Sequence, residues 1–247
     1  MNENNYIERY NWLERWTHTI HAIAMITLLF TGFAIYYRWN FITMHNARIL
    51  HMIAVPFLLV TNWILVPYGI ISHGLSEGGL KGIKNHFLNS YIFNSNDAKL
   101  LKQIILNFFG KGDYPKFSVY LKDKNHYHTK LHPLFKIFIV IEGICIFFVF
   151  ITGIVLYDVN WIFLHIPVSK IIISIFGYIS PLFNMNSLAF IRLIHLLMTY
   201  FFVFEFICHV FILEFDPKVF RYWKAIFIDG KEKIDSPMLQ IVSNKKE

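Results

Sequence analysis

Cysteine is almost missing from this 247-residue chain, with Cys145 and Cys208 the only two, both inside apolar runs. That excludes a disulfide scaffold and a cysteine-built iron–sulfur centre. No C-x-x-C-H occurs, which excludes a covalently attached c-type haem. Charge is scarce as well: Asp, Glu, Lys and Arg make up 16% of the residues, where ordinary globular domains carry about a quarter. What fills the space is apolar: 55% of the chain is hydrophobic and 18% aromatic. This composition points to one body whose outer surface faces lipid rather than water.

Four long apolar stretches run roughly over residues 19–37, 50–71, 134–157 and 188–213. Each is close to the ~20 residues that a helix needs to cross a bilayer. The first is too long for a signal-peptide core and lacks a small-residue cleavage site, so it is expected to be retained. A fifth stretch, 161–183, is broken by Pro167, Lys170 and Pro181, and proline interrupts the helical hydrogen-bond ladder. Basic residues decide its placement. Two arginines lie in residues 1–16, nine lysines in 72–133, and seven Lys plus Arg in 214–247, whereas the loops 38–49 and 158–187 hold only Arg38, Arg48 and Lys170. Four crossings put every basic segment on one side, as the positive-inside rule requires. A fifth would send the basic C-terminus across.

The expected protein is therefore all-α and integral to the cytoplasmic membrane, a four-transmembrane-helix bundle with both termini cytoplasmic. A cytoplasmic loop spans 72–133, an amphiphilic segment at 161–183 lies along the outer face, the membrane domain covers 1–230, and 231–247 forms a loose tail. The formal charge of +7 reflects topology, and no nucleic acid is expected as a partner. Within the loop, 97–110 reads as an amphipathic helix capped by Asp97 and stopped by Gly110, suited to lie on the membrane surface. Residues 111–130 read as an exposed connector.

Twelve histidines are present, and five of them fall at the ends or in the body of spans: His18, His51, His195 and His209, and also His21, one turn from His18, whose spacing to Gly32 is wrong for the same role. Ionisable groups at membrane depth are costly and point to function. His195 and His209 are fourteen residues apart, close to four helical turns, so both imidazoles leave one face about 21 Å apart along the axis. The topology then sets depth. His51 and His195 lie near the outer face, and His18 and His209 near the inner one. Two opposed histidines are the axial arrangement for a b-type haem, and bundle cores are an established place for it. The four side chains resolve into two pairs, hence two non-covalent b haems in the core.

Arg15-x-x-His18, Arg48-x-x-His51 and Arg192-x-x-His195 each place Arg three residues before a histidine, on the same helix face. Guanidinium binds carboxylates bidentately, so these arginines are candidates to clamp haem propionates, with interfacial snorkelling as the plain alternative. Thr31-Gly32 and Thr152-Gly153 form a faint repeat. Gly32 and Gly153 would let a flat macrocycle approach the helix backbone, and helix-to-helix packing of small residues is the competing explanation.

These motifs together (Arg15-x-x-His18 with Thr31-Gly32 fourteen residues after His18, Arg48-Ile-Leu-His51, Thr152-Gly153, and His195 with His209) resemble the cytochrome b subunits of membrane-bound respiratory nickel–iron hydrogenases. Their relatives in formate dehydrogenases, within the bacterial cytochrome b561 superfamily, are similar too. The resemblance covers roughly residues 9–230. The segment 175–183 and the long loop leading into Leu131-His-Pro-Leu134 look more like the hydrogenase branch. Thr19, where family members usually carry Trp, is a departure. The resemblance implies an electron path from a hydrogenase large and small subunit, or formate dehydrogenase equivalents, through two haems to menaquinone or ubiquinone. Hydrogen chemistry would belong to the partners.

Quinone and proton candidates come from the residues themselves. Glu205 and Glu142 lie at membrane depth, and buried carboxylates there are suited to relay protons. His132 and Lys136 sit where the third span is entered. His126, His128 and His132 lack a carboxylate or cysteine within a helix turn to complete a metal cluster, and His45, His73, His86 and His165 read as ordinary loop or interface histidines. The rival from another class is a haem-free transporter or proton relay, which would show no visible absorption.

Overall fold

The computed structural model describes residues 5–215 and 222–243. By internal packing it divides into two compact units, Met1–Val140 with Cys208–Glu247, and Ile141–Ile207. Four helices are long and apolar enough to cross a membrane: Trp12–Tyr37, Met44–Ser76, Pro133–Tyr157 and Ser187–Ile212. The fifth apolar stretch yields only a twelve-residue helix, Val168–Ile179, followed by a 3-10 turn over Ser180–Phe183. At 1.5 Å per residue that helix covers about 18 Å, well short of the ~30 Å hydrocarbon core.

The first unit begins with strand β1 (Tyr6–Glu8) and helix α1 (Trp12–Tyr37). Asn11 and Glu14 close a reciprocal capping box at the start of α1, satisfying two of the amides a helix start leaves open. Helix α2 (Met44–Val60) starts on Thr43 and runs through a widened turn over Thr61–Leu65 into α3 (Val66–Tyr91). Pro67, just past this turn, has no N–H to donate back to it. The helix α3 is a hairpin rather than a rod. Gly78 and Gly79 leave helical geometry, and a Cβ on Gly74 would come within 2.3 Å of the Ile83 Cα. Only glycine permits that return, so what reads as the start of a loop at residue 72 is helical.

Next come α4 (Ser95–Phe108), β2 (Ser118–Leu121), β3 (His126–Thr129) and the start of α5 (Pro133–Tyr157). The unit closes with the end of α7 (Ser187–Phe215), β4 (Lys231–Lys233) and β5 (Leu239–Val242). β1 pairs antiparallel with β4, and β2 pairs antiparallel with β3 and parallel with β5. The N-terminal segment, the long loop and the C-terminal segment therefore meet in one polar layer. An odd number of crossings could not deliver them to the same end.

This layer adds short strands to a fold that is otherwise helical with four apolar helices of spanning length, and it corrects two expectations. The connector 111–130 contains two paired strands. The tail is paired rather than loose over Lys231–Lys233 and Leu239–Val242, while 244–247 lie outside the described residues. The helix within the loop also starts earlier: Asn94 is its cap and Asp97 completes the capping box. Its Leu100 and Ile104 pack on Phe117 and Met238, whereas Ile105, Phe108 and Phe109 are exposed.

Arg9 is the hub of the polar layer. Its guanidinium is 2% exposed and donates to Glu232 at 2.5 Å, to the Ser118 hydroxyl at 3.0 Å and to the Lys130 carbonyl at 2.6 Å. The Tyr127 hydroxyl donates to the same Glu232 oxygen at 2.6 Å. Lys130 returns from the loop to the Arg9 carbonyl and to Glu14. Removing one member of such a pair leaves an uncompensated buried charge, which costs roughly 3–5 kcal/mol. Gly230 lets the chains cross: its φ is +71°, its carbonyl accepts from the Arg9 and Tyr10 amides, and a Cβ would stand 2.5 Å from the Tyr10 oxygen.

The second unit holds the rest of α5, α6 (Val168–Ile179) and most of α7. Ile172 and Phe176, one helical turn apart on α6, pack with Val155, Phe190 and Ile191. The Ser169 hydroxyl caps the Asp158 carbonyl at 2.6 Å. The amphiphilic segment is thus docked by one apolar face.

Candidate histidine site

In the first unit His18 of α1 and His209 of α7 face one another, with ring centroids 6.1 Å apart and planes 31° from parallel. Phe135 of α5 stacks on His209 at 4.6 Å, and Phe227 meets His18 edge-on at 5.0 Å. Among the described residues the Nδ1 of His18 is buried without a hydrogen-bond partner. A metal bonded at ~2.0–2.1 Å to a nitrogen of each of two imidazoles brings their centroids to ~6 Å. A buried imidazole nitrogen without a partner, opposed to a second imidazole at this separation among aromatic rings, fits two side chains that would hold an iron porphyrin.

His51 belongs to the first unit and His195 to the second. Their local settings are alike. The Nδ1 of His51 lies 2.9 Å from the Thr31 hydroxyl on α1, and the Nδ1 of His195 lies 2.9 Å from the Thr152 hydroxyl on α5. Both threonines are fully buried. Each hydroxyl donates at 2.6 Å to the carbonyl four residues back, Thr27 for one and Phe148 for the other. A hydroxyl has one hydrogen. With that hydrogen committed, its oxygen accepts from the Nδ1–H of the imidazole, and Nε2 keeps its lone pair. The neighbouring glycines serve the same rings. A Cβ at Gly32 or Gly153 would sit 3.6 Å from Cε1 of His51 or His195.

The other sequence candidates divide. Arg15 donates to the Ile228 carbonyl, while Arg48 and Arg192 are exposed on their helices. His132 is buried, and its Nδ1 accepts from the Leu134 amide at the start of α5. Lys136 is buried in an ion pair with Asp97 at 2.8 Å and donates to the Asn89 carbonyl at 2.7 Å, so it ties α5 to α4. Glu142 and Glu205 come together in the second unit, close enough to interact with each other and with Cys145. No group of three or more metal-ligating side chains forms among the described residues. His126 meets His73, and His73 meets His86, at centroid separations of 4.8 and 4.5 Å.

Two sets of residues escaped the sequence reading. The Thr-Gly repeat drew attention to its glycines, and the hydroxyl beside each glycine passed unnoticed. Its signal was present, since a buried threonine in a membrane helix must place its oxygen somewhere. The Arg9–Glu232 pair joins residues 223 apart, and no local pattern marks it.

Comparison with known proteins gives one informative relative. The chain is 52% identical over 239 residues to a protein of Methanosarcina mazei described as F420 non-reducing hydrogenase II cytochrome subunit; the match covers 96% of this chain and 87% of the relative. No protein-family model matches, and no solved structure matches significantly.

Proposed function

The chain belongs to the hydrogenase cytochrome subunits, and from that premise we propose that it carries electrons across a respiratory membrane step, from a hydrogenase iron–sulfur subunit to a lipid-soluble quinone. The observation that carries the reading is the apposition of His18 and His209 at 6.1 Å with a buried, unpartnered ring nitrogen. Two b haems supply the one-electron iron chemistry, one held by His18 and His209, the other by His51 and His195.

The chain's own residues do the remaining work. Thr31 and Thr152 support neutral imidazoles whose Nε2 carries no proton. Arg15 keeps further N–H donors beyond its bond to Ile228, and together with Arg48 and Arg192 it offers propionate contacts. Gly32 and Gly153 keep the helix surface low beside the rings of His51 and His195. Glu142 and Glu205 provide a carboxylate pair at membrane depth for proton exchange with a bound quinone, and His132 and Lys136 border the entry to α5. The basic polar layer faces the cytoplasm, as the positive-inside rule prescribes, and the large and small hydrogenase subunits dock on the opposite face. The hydrogenase relative favours these partners over formate dehydrogenase.

The test is spectroscopic. Purified protein should show a reduced-minus-oxidised b-type band with two haems per chain and should copurify with a hydrogenase in mild detergent. His209→Ala should leave one haem and halt quinone reduction. A colourless preparation, or His209→Ala with both haems in place, would overturn the reading.

A further inference from the structure

Threonine in a helix commonly turns its hydroxyl back to the carbonyl four residues earlier, and Thr19, Thr27 and Thr199 do so here. Thr31 and Thr152 do more. Each is fully buried, each spends its hydrogen on that carbonyl at 2.6 Å, and each presents its oxygen to a histidine Nδ1 at 2.9 Å. The same contact has been built twice, in two separate units. A third buried threonine, Thr61, stands 3.4 Å from the Nδ1 of His21, a longer approach to a histidine outside the four-ligand set. The glycine after each clasping threonine then lies against Cε1 of the ring that the hydroxyl holds. Turning either imidazole over would put a C–H against the hydroxyl and lose the bond.

We propose that Thr31 and Thr152 are positioning residues for His51 and His195: each accepts a hydrogen bond from Nδ1–H, fixes the tautomer in which Nε2 carries no proton, and sets how strongly that nitrogen donates to iron. The inference rests on the reading of His51 and His195 as ligands. An outer hydrogen bond to a ligating histidine raises its basicity and holds its orientation. A more basic axial ligand favours ferric over ferrous iron. Losing the hydroxyl should therefore raise the reduction potential of the haem that the clasped histidines hold, and leave unaltered the one assigned to His18 and His209.

The experiment uses the full chain in membranes, with Thr31→Val, Thr31→Ser, Thr152→Val and Thr152→Ser followed by redox titration of the b-type band and by the electron paramagnetic resonance of the ferric haems. Valine keeps the shape and removes the acceptor; serine keeps the acceptor. Each valine variant should shift one component by about tenfold in its reduction equilibrium, ~59 mV upward for one electron, while the serine variants titrate like the native chain. Loss of one haem in the valine variant with its retention in the serine variant supports the proposal equally. Valine and serine variants that behave alike, whether both native or both damaged, overturn it. The ligand reading fails separately: His51→Ala that retains both haems sinks it, whereas Thr31→Val with native potentials, in a protein where His51→Ala removes a haem, sinks the clasp alone.

Discussion

The four membrane histidines are held in two ways. His51 and His195 are gripped from within apolar helices, each by a threonine hydroxyl on a neighbouring helix. His18 and His209 have aromatic neighbours instead, and α1 and the segment after α7 that surround them are fastened by the polar layer at the basic end. The clasped pair also shows a repeat. Thr-Gly on one helix and Arg-x-x-His on another recur in both units, and the threonine–histidine separation grows from 20 to 43 residues because α6 and its flanking turns lie in the second interval. The lesson is that one chemistry can be supported by local pairing or by long-range anchoring. The two should fail under different insults.

The largest insult is aimed at the anchor. Glu232→Ala leaves the buried Arg9 guanidinium without its carboxylate, and should cost roughly 3–5 kcal/mol. The haem assigned to His18 and His209 should be lost or loosened first, with the clasped component retained; thermal unfolding and the b-type spectrum of the same preparation report both. Equal loss of the two components would erase the distinction. Gly230→Ala comes next. It forces a side chain into a left-handed residue and against the Tyr10 carbonyl, for about 1–3 kcal/mol of backbone strain alone, and its melting temperature should fall with the same bias toward the anchored pair.

Alkali separates the two supports further. Burial, reinforced by Glu14 and Tyr10, pushes the Tyr91 hydroxyl up from its ordinary 10 to about 12. A raised folded-state value in an acid contributes stability that is complete below pH 10 and disappears as pH climbs through about 12. Tyrosine ionisation followed by ultraviolet absorbance should show that step in the native chain and lack it in Tyr91→Phe, with the anchored haem component changing in the same window. The smallest effect belongs to the clasp. Gly32→Ala places its Cβ 3.6 Å from His51 Cε1, an ordinary contact, so stability should move by no more than about 0.5 kcal/mol. A large loss there would mean that the glycine does more than admit the ring.

Four apolar helices of spanning length and the gathering of the basic segments were legible before any fold was known. Each depends on composition over some twenty residues or on the 3.6-residue period, and both are local properties. The cap of α4 was misplaced by three residues, because Asn94 and Asp97 are equally good capping residues and only the backbone decides which one leaves the helix.

What tertiary structure alone decided lies where distant segments converge. Five short strands from the two ends and the middle of the chain have too few residues each to announce themselves, and they exist because they pair. Lys136, a candidate at the membrane entry, is claimed by Asp97 on a helix far back in the loop. The hydroxyls of Thr31 and Thr152 acquire a task only when a second helix brings an imidazole within 2.9 Å. Hydrophobicity and periodicity are written residue by residue along the chain, whereas a hydrogen bond across helices is a property of two places at once.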